Sequence, residues 1–213
     1  TVEDTAELQV YHDHWLRMET RRERPDGTPE VDMNDCLKSS LRMRPDRIIV
    51  GEVRGPECAT LLTAMNTGHD GSFGSLHANT AQETVTRMIN PPMNVPPIML
   101  SGLDLIIIQA RLHVNGKTAR KITEVAEIAG MEGDKPRLNI IWKYNAATDQ
   151  IEETGIPSKL REIICKAAGV TPAVFEKHVE QRQAILNDLV QRDIDDTQTV
   201  STVIQNFYAS RAH

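Results

Sequence analysis

Three groups of residues have the types and spacing to do chemistry. Glu52 closes the apolar run Arg47-Ile48-Ile49-Val50-Gly51-Glu52. A continuous apolar run is how a strand buried on both faces reads. An acid just past the end of such a strand stands where ligands bind in open α/β sheets. It can hold Mg²⁺ or its water there, or it can simply cap the helix that Gly55-Pro56 opens. Glu3 and Asp4 also follow a strand end, Thr1-Val2. If the two strands are neighbours, these acids join Glu52 at one sheet edge and make a Mg²⁺ site or a general base. Standing alone, the pair reads as a polar loop.

The third group is Gly68-His69-Asp70-Gly71-Ser72-Phe73-Gly74-Ser75-Leu76-His77. Its two histidines flank a short strand near Ser72–Leu76. They suit a phosphate sensor or hydrogen bonds between subunits, and equally ordinary surface positions. A mononuclear metal site needs a third ligand, and this stretch has no HxH or HExxH spacing. Arg42, Arg44, Arg47 and Arg54 surround the acids in sequence, with Arg21 and Arg22 further upstream. Some must pair with the acids, and one can reach a γ-phosphate as an arginine finger does. No GxxxxGK[ST] occurs in these residues. Without that phosphate cradle the chain by itself should bind nucleotide poorly.

The elements that must position these groups follow from turn and cap signals. Pro25-Asp26-Gly27 marks a turn. Asp32 or Asn34 caps a helix running to about Met43 and ended by Pro45. Arg47–Glu52 is a strand, and Pro56 sits at the start of a helix with Leu61, Leu62 and Met65 on its core face. Thr80 caps a helix through Ile89, stopped by Pro91-Pro92, and Pro96-Pro97 starts another. Arg111–Val114 and Lys121–Ala129 form a hairpin across Asn115-Gly116 with a type I′ turn, and Leu138–Tyr144 adds a third antiparallel strand. The remainder reads helical: Ser158–Ala168 ending at Gly169, Thr171 to about Arg192, and a last helix capped by Asp195 or Asp196. This is an α/β core with a helical tail, divided at 1–150 and 151–213.

Composition excludes several classes. A length of 213 residues suits one domain with a small appendage. Apolar content of 39% and charged content of 25% are those of a globular protein. Aromatics are only 4%, so the core rests on aliphatic residues. A dispersed net charge of −6, with no basic stripe, argues against nucleic acid. Three cysteines without CxxC argue against a disulfide framework or zinc and fit a reducing cytosol. The most apolar stretch, Leu103–Ala110, is far shorter than the ~20 residues of a membrane span.

In order and spacing, VEDTAEL (Val2–Leu8), SLRMRPDRIIVGEVRG (Ser40–Gly55) and TGHDGSFGSLHANT (Thr67–Thr80) resemble the secretion-superfamily motor ATPases, most of all their archaeal secretion and archaellum branch. That resemblance covers roughly Thr1 to Glu127. It implies a RecA-like P-loop ATPase core, here partial, with a β-hairpin and a C-terminal helical subdomain. Glu3 and Asp4 then match the acidic box, with Glu3 the favoured general base. Glu52 matches the Walker B acid on Mg²⁺ or its water, and His69 and His77 the His box. Arg42 and Arg44 match arginines near a subunit interface, and Arg54 is a further nucleotide contact. The implied cofactors are ATP and Mg²⁺. The implied partners are further copies in a hexamer and a polytopic membrane platform protein at the cytoplasmic face. The family's Walker A loop would precede Thr1. The chain is therefore expected to be the C-terminal part of a longer ATPase, with a catalytically silent assembly or regulatory piece as the alternative.

Overall fold

The structure is a computed structural model describing residues 1–114, 116–133 and 135–210. Two compact units are present. One comprises Thr1–Leu8 with Leu16–Leu160, and the other Gln9–Trp15 with the chain from Arg161 onward.

The first unit contains two sheets. In the parallel sheet β1 (Val2–Glu3), β2 (Met18–Glu19), β3 (Ile49–Val50) and β4 (Phe73–Gly74) lie in the order β2-β1-β3-β4. All three pairings are parallel. The chain leaves β1 to one side for β2 and returns to the other side for β3. That reversal is a topological switch point between β1 and β3. Each strand is only two residues long, so the sheet is stabilised by burial more than by its ladder: Val2, Ile48 and Val50 are at most 2% exposed.

Helices α1 (Met33–Leu41), α2 (Glu57–Asn66) and α3 (Ala81–Ile89) connect these strands and carry the chain on from them. Asp32 caps α1 through a capping box with Asp35, and Thr80 caps α3. Leu37, Leu61, Leu62, Val85 and Met88 turn inward to form the core with the strands. The expected helix after Pro96 is a single 3₁₀ stretch, Pro97–Gly102.

The second sheet is an antiparallel meander of β5 (Leu105–Val114), β6 (Lys117–Glu132), β7 (Lys135–Asn145) and β8 (Gln150–Glu153). The hairpin and its third strand are as the sequence suggests, with longer strands. Asn115, on which the turn type depends, lies outside the described residues. β8 corrects the expectation that everything after Tyr144 is helical. All four of its residues are exposed, so it carries no apolar alternation to read. Ile106, Ile108, Ala126 and Ile128 join the core of the first sheet's helices.

In the second unit α5 (Pro172–Gln191) and α6 (Thr197–Ala209) start at the side-chain caps Thr171 and Asp196. Helix α4 (Lys159–Ala168) runs from the first unit into the second and is followed by Gly169 at φ 64°. Among the described residues no helix is long and apolar enough to cross a membrane.

Candidate functional site at the switch point

The C-terminal ends of β1, β3 and β4 gather Glu3, Asp4, Glu52, Arg54 and His77 at one edge. Beyond β3 and β4 the two segments stay paired: Ser75 N donates to Val50 O at 3.3 Å and Val53 N to Ser75 O at 2.7 Å. This zipper carries Glu52 and His77 outward side by side. His77 Nε2 stands 3.2 Å from Glu52 Oε1, and the Arg54 guanidinium donates to Glu52 Oε2 at 2.5 Å. The Arg54 bond, reinforced by the His77 charge, holds the Glu52 carboxyl below the usual carboxylate range, while nearby Asp4 opposes this. Both partners are largely in solvent, with side chains 69% and 87% exposed. Exposed pairs of this kind are weak, so an incoming cation or phosphate can displace them.

Glu3 is a different kind of acid. It is 2% exposed. Its Oε1 accepts from Glu7 N at 2.9 Å and Leu8 N at 2.8 Å. Its Oε2 is buried without a hydrogen-bond partner, and Arg17 Nε is 3.8 Å away. Gly51 makes this possible, because a Cβ there would lie 3.0 Å from Glu3 Cγ. The residue before Glu52 is thus the floor on which Glu3 rests. Asp4 is exposed and accepts from Thr20 Oγ1 at 2.7 Å.

Glu52, Arg54 and His77 form one side of a cleft of about 290 Å³, with Arg87, Pro91, Pro92 and Met93 on the other. Arg87 is held by Glu83 at 2.7 Å. A larger cavity, about 500 Å³, lies elsewhere among Leu61, Met65, Phe73, Leu103 and Ile107. It contains none of the carboxylates at the sheet edge and is mainly apolar, so the smaller cleft is the chemical one.

Three of the expected site residues stand apart from this edge. His69 precedes β4 whereas His77 follows it, so the strand carries them to opposite ends. His69 lines the apolar cavity with Nδ1 3.3 Å from Ala64 O. Arg42 and Arg44 lie between α1 and β3, at the N-terminal end of β3, and both are exposed. Two residues at the site have no place in the sequence reading. Arg87 reaches the cleft only because α3 ends against it, which no spacing announces. Glu57 is signalled weakly, as an acid in the first turn of a helix. Cys58 beside it is buried, and burial pushes its thiol up to about 12, so it is no nucleophile.

A magnesium ion fits these donors. Mg²⁺ takes hard oxygen ligands, keeps several waters and needs only one or two carboxylates. Glu52 supplies one at the cleft, and the buried Oε2 of Glu3 accepts no hydrogen bond, with the Arg17 guanidinium 3.8 Å away. Among the described residues no group of three or more histidine, cysteine or carboxylate side chains is placed to hold a metal by itself. The sequence's HxH, His12-Asp13-His14, lies in the second unit, where His12 Nδ1 accepts the His14 amide at 3.1 Å.

Comparison with known proteins finds relatives over most of the chain. MJ1287 of Methanocaldococcus jannaschii is 34% identical over 191 residues, covering 89% of this chain and 70% of that protein. MJ0900 of the same organism is 32% identical over 211 residues, 97% of this chain but 38% of that protein. The type IV secretion system protein VirB11 of Bartonella quintana is 32% identical over 136 residues, 59% of this chain and 37% of that protein. The chain thus spans between about a third and 70% of these relatives. The family model described as "Type II/IV secretion system protein" matches residues 1–200. With that match over most of its length, the chain belongs to the type II/IV secretion system protein family.

Proposed function

We propose that this chain supplies the carboxylate and histidine side of a Mg-ATP hydrolysis site in a secretion-type motor ATPase. The observation that carries the reading is the position of Glu3 and Glu52. They close adjacent parallel strands at the switch point, and one oxygen of Glu3 is buried and unbonded. Glu3 acts as general base. Its Oε1 is fixed by two amide N–H groups, which aims the carboxylate, and its Oε2 is left to take a proton from water. Glu52 binds on the metal side, with Arg54 and His77 neutralising it until they are displaced. Arg54 and His77 then face the developing phosphate charge. The Mg²⁺ bound here would withdraw charge from the phosphate oxygens. His69, Arg42 and Arg44, away from this edge, serve contacts with a neighbouring subunit.

In this reading the chain is the C-terminal part of the motor, and the phosphate-cradling loop belongs to the same protein. The protein works as a homohexamer at the cytoplasmic face of the membrane. It docks on a polytopic platform protein and drives secretion or the assembly of a type IV pilus-like or archaellum filament. Mg-ATP hydrolysis by the full-length protein is the test. Glu52→Gln and Glu3→Gln are each expected to lower kcat by about 10²-fold or more, the contribution of a positioned acid or base. Full rates in both variants would reject the assignment.

A further inference from the structure

We propose that Glu57 is a positioning residue of this site, holding the backbone of Arg54 so that its guanidinium meets Glu52. The inference rests on the reading of Glu52 given above. Glu57 is only 5% exposed. Its Oε1 accepts from Arg54 N at 2.6 Å and from Gly55 N at 2.7 Å. An acid in a first helical turn ordinarily serves its own helix end. Glu57 instead reaches back to two amides ahead of the helix, whose N-cap, Pro56, makes no side-chain cap bond. A buried carboxylate left unpaired is strongly destabilising, so these bonds and the shape of the turn hold each other in place. Gly55 is part of the same fit, since a Cβ there would lie 3.0 Å from Glu57 Oε2.

The consequence falls on Arg54. Its side chain is 69% exposed, so little packing aims it at Glu52. An exposed ion pair of that kind is weak and does not by itself keep a long side chain in place. The backbone from which Arg54 springs therefore decides where the guanidinium stands, first on Glu52 and, once displaced from it, toward the phosphate. Glu57 fixes that backbone within three residues of the carboxylate.

The experiment uses the full-length protein. Glu57→Ala is compared with Glu127→Ala, another buried carboxylate that caps backbone, at Lys159 N, away from the cleft. Amide hydrogen exchange at Arg54 and Gly55 and the kcat for Mg-ATP are measured on folded protein. Glu57→Ala is expected to speed exchange at both amides by about tenfold, the loss of charge-assisted bonds. It is also expected to lower kcat at unchanged KM, with Glu127→Ala doing neither. In an Arg54→Ala background the kcat effect of Glu57→Ala should vanish, because Glu57 acts through Arg54. Unchanged exchange, or a kcat loss that persists undiminished without Arg54, overturns the proposal. If Glu57→Ala does not fold, Glu57→Gln keeps an acceptor without the charge, and exchange at Arg54 and Gly55 no faster than wild type is then the overturning result. Failure of the Glu52 reading is recognised separately, by full activity in Glu52→Gln and Glu3→Gln.

Discussion

Glu3 and Glu52 have the same functional group and opposite environments. Glu52 is partly exposed, with Arg54 and His77 against it, and the Arg54 bond is the largest cause of its lowered pKa. Removing that bond should let the carboxyl return upward. In Arg54→Ala, a ¹³C NMR titration of Glu52 is expected to have a higher midpoint than wild type. A depressed carboxyl stabilises the fold above its unfolded pKa, and that contribution is lost as pH falls through the folded value. Glu3 depends on shape instead. Gly51→Ala would bring a Cβ to 3.0 Å of Glu3 Cγ, and a residue 2% exposed has little room to yield. The expected cost is about 1–3 kcal/mol in urea denaturation, as for other overpacked cores. Both acids were legible as candidates, because each ends an apolar strand signal. Their division of labour was not, because it depends on which neighbour lies across the sheet.

At the scale of elements, caps were the most legible feature. Asp32, Thr80, Thr171 and Asp196 all accept from a backbone N–H in the first helical turn where the sequence places a cap. This chemistry is local, spanning three residues, so it survives without tertiary information. Asp32 accepts from Asp35 N at 2.7 Å, and Asp32→Ala is expected to cost about 1 kcal/mol in chemical denaturation. Strands were less legible. Arg47–Glu52 reads as one strand, yet only Ile49–Val50 pairs as a ladder, and the zipper through Ser75 carries the rest. That zipper, not sequence distance, makes His77 the histidine that meets Glu52. His69 is separated from it by β4 itself.

At the scale of the molecule, each unit is stabilised internally in its own way. The first has a continuous aliphatic core from Val2 to Ile128. In the second, α5 and α6 bury only Leu189 between them. Leu186 and Val190 are 55% and 78% exposed. That unit relies on Arg161 pairing with Glu176 at 2.5 Å and on Arg182 over the rings of Phe207 and Tyr208, at 5.8 and 5.6 Å. Such contacts contribute about 1 kcal/mol or less apiece at exposed sites. Native-state hydrogen exchange should therefore open α5 and α6 well before β5, β6 and β7, whose amides are expected to approach the global limit. Equal protection in both units would contradict this ranking.

The sequence by itself determined the family, the caps at which four helices start and the acids worth examining. Each rests on local order: motifs in series, caps within one turn, apolar runs ended by a charge. Only the tertiary structure decided that β1 and β3 are neighbours across a switch point and that Gly51 carries Glu3. It also decided that His77 rather than His69 faces Glu52, that Arg87 lines the cleft, and that Glu57 holds the backbone of Arg54. These are contacts between residues far apart in the chain, or hydrogen bonds whose direction depends on a turn. Such facts follow from how strands are ordered and how closely side chains pack, which periodicity and spacing do not encode.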